Sequence, residues 1–298
     1  MTLPALKDTV ARLGLQAGAL TAVGLALQER VTQQPLDPRV RTHVDEALDA
    51  LGIREAIASL SPGELRPVLA EVRMFLVHGA TLLGRTGGGT GWRADDPAMI
   101  VAAGETSAGF APALKGGVMP QLDGLAARLD GSGAFLDVGV GVAGLAIAMA
   151  RLWPTLRVVG IDPLAPALAL ARENVAAAAL VGRIELRQQL GEELPDIDAF
   201  DLAWVPSLFI PGPAVDPILR RVFRAMRPGG WVLLALARTD GEPLAAAYAR
   251  LRTVLWGGVP WTAAEAIGLV TGAGFADARQ VDLPPAAPMA LVAGRKPA

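Results

Sequence analysis

The chain has no cysteine, which excludes disulfides, thiolate metal centres and cysteine nucleophiles. Histidine is nearly as scarce: His43 and His78 are the only two, both on predicted helices. Lysine is confined to Lys7, Lys115 and Lys296, so 24 of the 27 basic residues are arginine, and with the abundant alanine this suggests a bacterium with a GC-rich genome. A formal net charge of −2 leaves no cationic surplus for nucleic acid or an anionic membrane, and neither is expected as a partner. One apolar run stands out, Leu13 to Leu27. It is shorter than the ~20 residues of a membrane span. Arg12 and Glu29 flank it, Gln16 interrupts it, and the Lys7-Asp8 start is followed by no small-residue cleavage site. A buried helix suited to a subunit interface, in a cytoplasmic protein, is the expectation.

What is present is apolar and helix-forming. At 52% hydrophobic and 19% charged, 298 residues can bury a large core in one large domain or two smaller ones. Residues 1 to about 130 read as helices: Leu3–Val31, then Pro38–Leu51 with Asp37 as N-cap and Gly52 as stop. Ser61-Pro62-Gly63-Glu64 has serine at the cap, proline first and glutamate third, opening a helix that bends or restarts at Pro67 and runs to Leu83. Gly84–Gly91 reads as a loop, and Gly87-Gly88-Gly89-Thr90-Gly91 lacks the lysine and hydroxyl of a phosphate loop. Asp95-Asp96-Pro97 opens a short helix, and Thr106–Asp130 holds one or two more, broken near Gly116-Gly117 and Pro120.

From residue 134 strands and helices alternate. Strands are predicted at 134–138, 157–161, 183–187, 200–205, 231–236, 276–281 and 289–293, with helices at 143–152, 165–179, 214–226, 243–255 and 262–272. Such alternation implies a mostly parallel, doubly wound α/β sheet, with ligands outside the carboxyl ends of its strands. The expected organisation is a helical cap or dimerisation domain over 1–130 and a Rossmann-like domain over 131–298.

The most informative stretch is Phe135-Leu136-Asp137-Val138-Gly139-Val140-Gly141-Val142-Ala143-Gly144: an apolar strand, a glycine turn and the start of a helix. Gly139-x-Gly141-x-x-Gly144 matches the dinucleotide fingerprint, and Asp162, at the tip of the second strand, is placed to accept from ribose hydroxyls. On these features alone an NAD(P)-dependent oxidoreductase is a live alternative. Three others favour S-adenosylmethionine. Asp137 just before the glycines would repel a pyrophosphate and suits the ammonium of a methionine moiety. Met226-Arg227-Pro228-Gly229-Gly230-Trp231 makes a tight turn into an apolar strand. Gly272-Ala273-Gly274-Phe275 leads into a terminal hairpin that a dinucleotide domain does not need.

Together with Gly160-Ile161-Asp162 and Phe200-Asp201-Leu202-Ala203-Trp204, these motifs make the segment from about 134 to 294 resemble the class I S-adenosylmethionine-dependent methyltransferases of small-molecule type. The resemblance implies a Rossmann-like seven-stranded sheet with an antiparallel last strand. It implies S-adenosylmethionine as cofactor, S-adenosylhomocysteine as product, and no metal. Residue by residue, it places Asp137, Gly139 and Gly141 around the methionine part, Asp162 on the ribose, and Pro163 and Leu164 beside the adenine. The acid usual near the adenine amino group falls at Leu190, a departure that Gln189 or a backbone group would replace; Trp204 closes this set. A second departure is Ala143, where a third glycine is usual. Some methyltransferases of this kind carry an N-terminal helical domain that dimerises and covers the acceptor site, which makes a homodimer through the N-terminal helices the expectation.

For the acceptor side the candidates are Ser207 and Phe209, in the apolar loop Trp204–Pro211, and His78. Val205-Pro206-Ser207-Leu208 lacks the Asn-Pro-Pro-Tyr-like motif of nucleic-acid amine methyltransferases. His78 follows Phe75-Leu76-Val77 and reads first as a core histidine, His43 as a surface one. Glu105 and Ser107 read as an ordinary helix start, and Tyr248, the only tyrosine, faces core or site. The expected activity is in-line methyl transfer to a small apolar or aromatic molecule, to oxygen before nitrogen or carbon, with no catalytic base identified. A cofactor-binding protein of the same fold that does not methylate is a further alternative.

Overall fold

The structure is a computed structural model and describes residues 2–84, 91, 97–284 and 287–298. The glycine run at 87–90, Trp92 and the Asp95-Asp96 pair lie outside the described residues. The chain divides into two compact units: Met1–Arg85 with Val101–Thr106, and Thr86–Ile100 with Ser107–Ala298.

The first unit is helical: α1 Leu3–Thr32, α2 Pro38–Leu51, α3 Arg54–Ser59, α4 Pro62–Gly84, and part of α5 Pro97–Ala108. Asp37 caps α2 by accepting from the Arg39 N–H, and Gly52 ends it in the left-handed conformation. Ser61 and Glu64 close a reciprocal capping box at α4. Leu27, Val44, Leu48, Ile57, Leu65 and Leu69 form the core. Two expectations need correction. Pro67 does not restart a helix: α4 is continuous through it, and Leu65, Leu69 and Val72 bury one apolar face on both sides of the single lost hydrogen bond. Helix α1 is buried only in its second half, where Leu20, Val23, Ala26 and Leu27 join the core; Leu3, Leu6, Val10, Leu13 and Leu15 are exposed. It is the one helix among the described residues long and apolar enough to cross a membrane. Helix α3 has no sequence counterpart above; at six residues it is too short for periodicity to register.

The second unit begins with α6 Phe110–Ala113, a wide helical turn Leu114–Val118, a tight one Met119–Gln121, and α7 Leu125–Asp130. Gly116-Gly117 therefore widens the helix without breaking it. The seven strands are β1 Ala134–Val138, β2 Arg157–Asp162, β3 Ile184–Gln188, β4 Phe200–Pro206, β5 Met226–Ala237, β6 Ala276–Gln280 and β7 Met289–Arg295. The helices between them are α8 Gly144–Leu152, α9 Ala165–Ala177, α10 Gly212–Ala225, α11 Pro243–Leu255 and α12 Ala263–Gly272.

The sheet order is β3-β2-β1-β4-β5-β7-β6, and β7 runs antiparallel to both neighbours. Strands β1 and β4 are buried along their whole length, as expected for parallel strands covered on both faces. Leu136, Ala203, Val232 and Val292 continue one core across four strands, closed by Val215, Leu219 and Val222 of α10 and by Val270 of α12. The order turns outward on either side of β1 and β4, which puts the topological switch point, and hence the ligand crevice, at the carboxyl ends of those two strands.

Candidate functional site

Two carboxylates meet at that crevice. Asp137 is the fourth residue of β1, and Asp162 the last of β2; both are buried. The chain leaves β1 through Gly139 and Gly141, both with positive φ (68° and 55°), which side chains rarely adopt. The Gly139 and Val140 N–H groups both donate to the Ile161 carbonyl, at 2.8 and 3.0 Å, pinning the turn against β2. Gly160 makes this possible: a Cβ there would lie 2.6 Å from a methyl of Val140. A Cβ on Gly141, in contrast, would meet nothing within 4 Å, so the turn faces open space.

Asp162 ties the turn to the next segment. One of its oxygens accepts from the Gly141 N–H at 2.9 Å, the other from the Leu164 N–H at 2.8 Å. Each oxygen keeps a second lone pair. Burial raises its pKa, opposed by those two backbone bonds. Asp137 is pushed further, to about 8, first by burial and then by the neighbouring Asp162 charge, against a hydrogen bond from the Ala146 N–H in the first turn of α8. Among the described residues neither carboxylate has an ion pair: burial and the Asp162 charge hold the proton on Asp137, and a cation placed beside the two would favour its ionisation.

The rim follows from the same geometry. Leu164 is half-buried against Ile100, Val142 and Ala167. Pro163 and Leu190 are exposed. Gln189 donates its backbone N–H to the Asp162 carbonyl, while its side-chain Nε2 is buried without a hydrogen-bond partner. Trp204, on β4 opposite Asp137, is buried and faces the ring of Phe110 at 6.0 Å between centroids. Asp137, Gly139, Gly141, Asp162 and Trp204 are thus brought to one end of the sheet. Ala143 stands at φ 66°, which explains why a glycine is usual there.

Residues 135–230 match the family model described as a methyltransferase domain. This segment is a class I methyltransferase domain. Solved structures extend the likeness of fold to the whole chain. A putative O-methyltransferase from Nostoc punctiforme is 18% identical, with a TM-score of 0.63 over 99% of this chain and 100% of that one. An O-methyltransferase family protein from Burkholderia thailandensis is 15% identical (TM-score 0.62, covering 100% and 99%). Human N-acetylserotonin methyltransferase, solved with S-adenosylmethionine, is 17% identical (TM-score 0.61, 100% and 99%). Comparison with curated protein sequences gives no match.

The three acceptor candidates have different surroundings. Ser207 is fully buried and donates its hydroxyl to the Ala235 carbonyl at 2.7 Å, which binds β4 to β5. Phe209 stacks on Trp256, centroids 4.6 Å apart. His78 is buried in α4 of the first unit, where Glu105 also pairs with Arg73 at 3.2 Å. His43 is exposed and meets Glu46 at 2.9 Å. No group of three or more His, Asp or Glu suited to a metal occurs among the described residues. A cavity of about 410 Å³ lies away from the crevice, lined by Arg157, Val159, Ile184, Asp196 and Phe200 near the starts of the strands.

Two residues escaped sequence reasoning. Asp201, the acid of the β4 motif, accepts from the Ala134 N–H at 2.9 Å and pairs with Arg128 (3.2 Å) and Arg227 (2.6 Å). It is a structural hub at the amino end of the sheet. Arg252, on α11, lies over the ring of Trp256 at 4.7 Å and near that of Tyr248 at 5.8 Å. Its signal was faint: one of two arginines in an alanine-rich helix, a turn from the only tyrosine.

Proposed function

We propose that the protein is an S-adenosylmethionine-dependent O-methyltransferase acting on a small apolar or aromatic molecule. The observation that carries the reading is the uncompensated Asp137–Asp162 pair beneath an open glycine turn. The residues fit the cofactor. Asp137 suits the ammonium of the methionine moiety, and the free lone pairs of Asp162 suit two ribose hydroxyls. The orphaned Gln189 Nε2 suits a ring nitrogen of adenine. A pyrophosphate fits poorly, because Asp137 already accepts a first-turn N–H of α8, where a dinucleotide would seat its phosphates.

When bound, S-adenosylmethionine supplies an electrophilic methyl: the acceptor's lone pair forms the new bond as the S–CH3 bond breaks and its electron pair returns to sulfur. The chain's task is to hold the acceptor in line and dry, and such positioning supplies ~7–11 kcal/mol of barrier lowering. Trp204, Phe110, Phe209 and Trp256 furnish aromatic surface near the ends of β4 and α11 for an apolar acceptor. The second unit contains no histidine, so positioning carries the reaction unless another group removes the acceptor's proton. Calorimetric titration with S-adenosylhomocysteine and with NADH tests the reading: the former binds and the latter does not. Binding of NADH alone would refute it.

The same proposal includes a homodimer through α1. Leu3, Leu6, Val10, Leu13, Ala17, Leu20, Gly24 and Leu27 follow a 3-4 spacing along one stripe. Its second half packs on α4, tightly enough that a Cβ on Gly24 would lie 2.9 Å from Val72. The exposed first half continues that seam, and a second copy offers a self-complementary surface to cover it.

A further inference from the structure

Arg252 is a half-buried cation with no ion-pair partner among the described residues. Its Nε is shielded from solvent and makes no hydrogen bond. Among the described residues no carboxylate pairs with it, and the guanidinium lies against the faces of Trp256 and Tyr248, one helical turn to either side. Burial pushes its pKa down, against a small opposing effect of Tyr248. Such a placement is unfavourable for a residue that serves the fold alone, since aromatic faces replace only part of the lost hydration.

Its position gives the cation a use. Helix α11 follows β5, so Arg252 belongs to the loops and helices beyond the carboxyl ends of the central strands. Trp256 links it to Phe209, directly after β4. Glycines hold the two segments together: a Cβ on Gly258 would lie 2.3 Å from the Leu208 carbonyl oxygen, and one on Gly212 would lie 2.6 Å from Val259. The cation and the aromatic surface assigned above to the acceptor are therefore one wall. Arginine presents a planar fork of donors that matches a carboxylate with two parallel hydrogen bonds.

We propose that Arg252 is the anion-binding residue of the acceptor site, and that the acceptor is an aromatic or apolar molecule bearing a carboxylate. The proposal rests on the methyl-transfer reading for the word acceptor, but the anion site itself is testable without it. The probes are three acid–amide pairs: benzoate and benzamide, 4-hydroxybenzoate and 4-hydroxybenzamide, 2-naphthoate and 2-naphthamide. Each is titrated calorimetrically into the full chain, with and without saturating S-adenosylhomocysteine. At least one acid binds tenfold or more tighter than its amide, Arg252→Gln removes that preference while leaving amide binding within about twofold, and Arg252→Lys keeps part of it. If every acid binds no tighter than its amide, or the preference survives in Arg252→Gln, the proposal is overturned. Thermal unfolding of Arg252→Met separates a purely structural role: the midpoint stays or rises if the arginine is kept for a ligand, and falls if the ring stacking holds α11. Failure of S-adenosylhomocysteine to bind would sink the cofactor reading alone, since the acid–amide comparison without it still decides the anion site.

Discussion

The two ends of one sheet treat buried carboxylates in opposite ways. At the amino end, Asp201 is met by a backbone N–H and two arginines, so its charge is balanced within the fold. At the carboxyl end, Asp137 and Asp162 lie close enough for the second to raise the pKa of the first, with backbone N–H groups as their only hydrogen-bond partners. These three are the buried acids among the described residues. A charge that the fold neutralises serves the fold. A charge that the fold leaves open is a cost to stability, retained because something else neutralises it. Arg252 is the counterpart of opposite sign: among the described residues it has no ion-pair partner, as Asp137 and Asp162 have none.

The sharpest way to break this comparison is to remove one acid from each end. Asp201→Ala leaves the Ala134 N–H unsatisfied and two arginines facing each other; because both arginines reach solvent, the loss falls near the low end of a buried pair, about 3 kcal/mol in urea unfolding. Asp162→Ala acts on the ligand. It should weaken S-adenosylhomocysteine binding by about 100-fold, the worth of two charge-assisted hydrogen bonds, and unchanged affinity would show that the ribose acid lies elsewhere.

A smaller effect sharpens the contrast through pH. Asp137 has a folded pKa of about 8, above its ordinary value, so the folded state holds a proton that the unfolded state has lost. Stability of the ligand-free protein should therefore fall as pH rises from about 4 to 8, by on the order of 1 kcal/mol per pH unit at most, and Asp137→Asn should flatten that slope. The smallest effect on folding lies in the first unit. Leu6→Glu with Leu13→Glu alters only exposed positions, so unfolding should shift by less than about 0.5 kcal/mol, while sedimentation moves from dimer to monomer.

The sheet was legible because its signals are local. Five of the predicted strands start where the structure starts them, and β3 begins one residue later, since an apolar run bounded by turn residues declares a buried strand. Strand β5 starts five residues earlier, because its Arg-Pro-Gly-Gly turn pairs on both sides: Met226 with β4, and Gly229 with the chain end at Lys296. Asp137 and Asp162 could be singled out from their places beside glycines and at a strand tip. Partnership across the chain was not legible. Arg128 lies 73 residues from Asp201 and Arg227 lies 26 away, and no spacing rule joins them. For the same reason the sequence could not show that Ser207 spends its hydroxyl on Ala235 or that Arg252 has no carboxylate. Helix α1 was legible only in part, because apolar composition reports what a helix can bury and not which partner covers it: α4 covers its second half.

The central claim is that Asp137 and Asp162 destabilise the free protein and are satisfied by the ammonium and the ribose hydroxyls of the bound cofactor. One paired measurement on Asp137→Asn tests it: the thermal midpoint without ligand, and the calorimetric affinity for S-adenosylhomocysteine, both at pH 8. The midpoint should rise above that of the unaltered protein while the affinity falls tenfold or more. A lowered midpoint with unchanged affinity would contradict the claim.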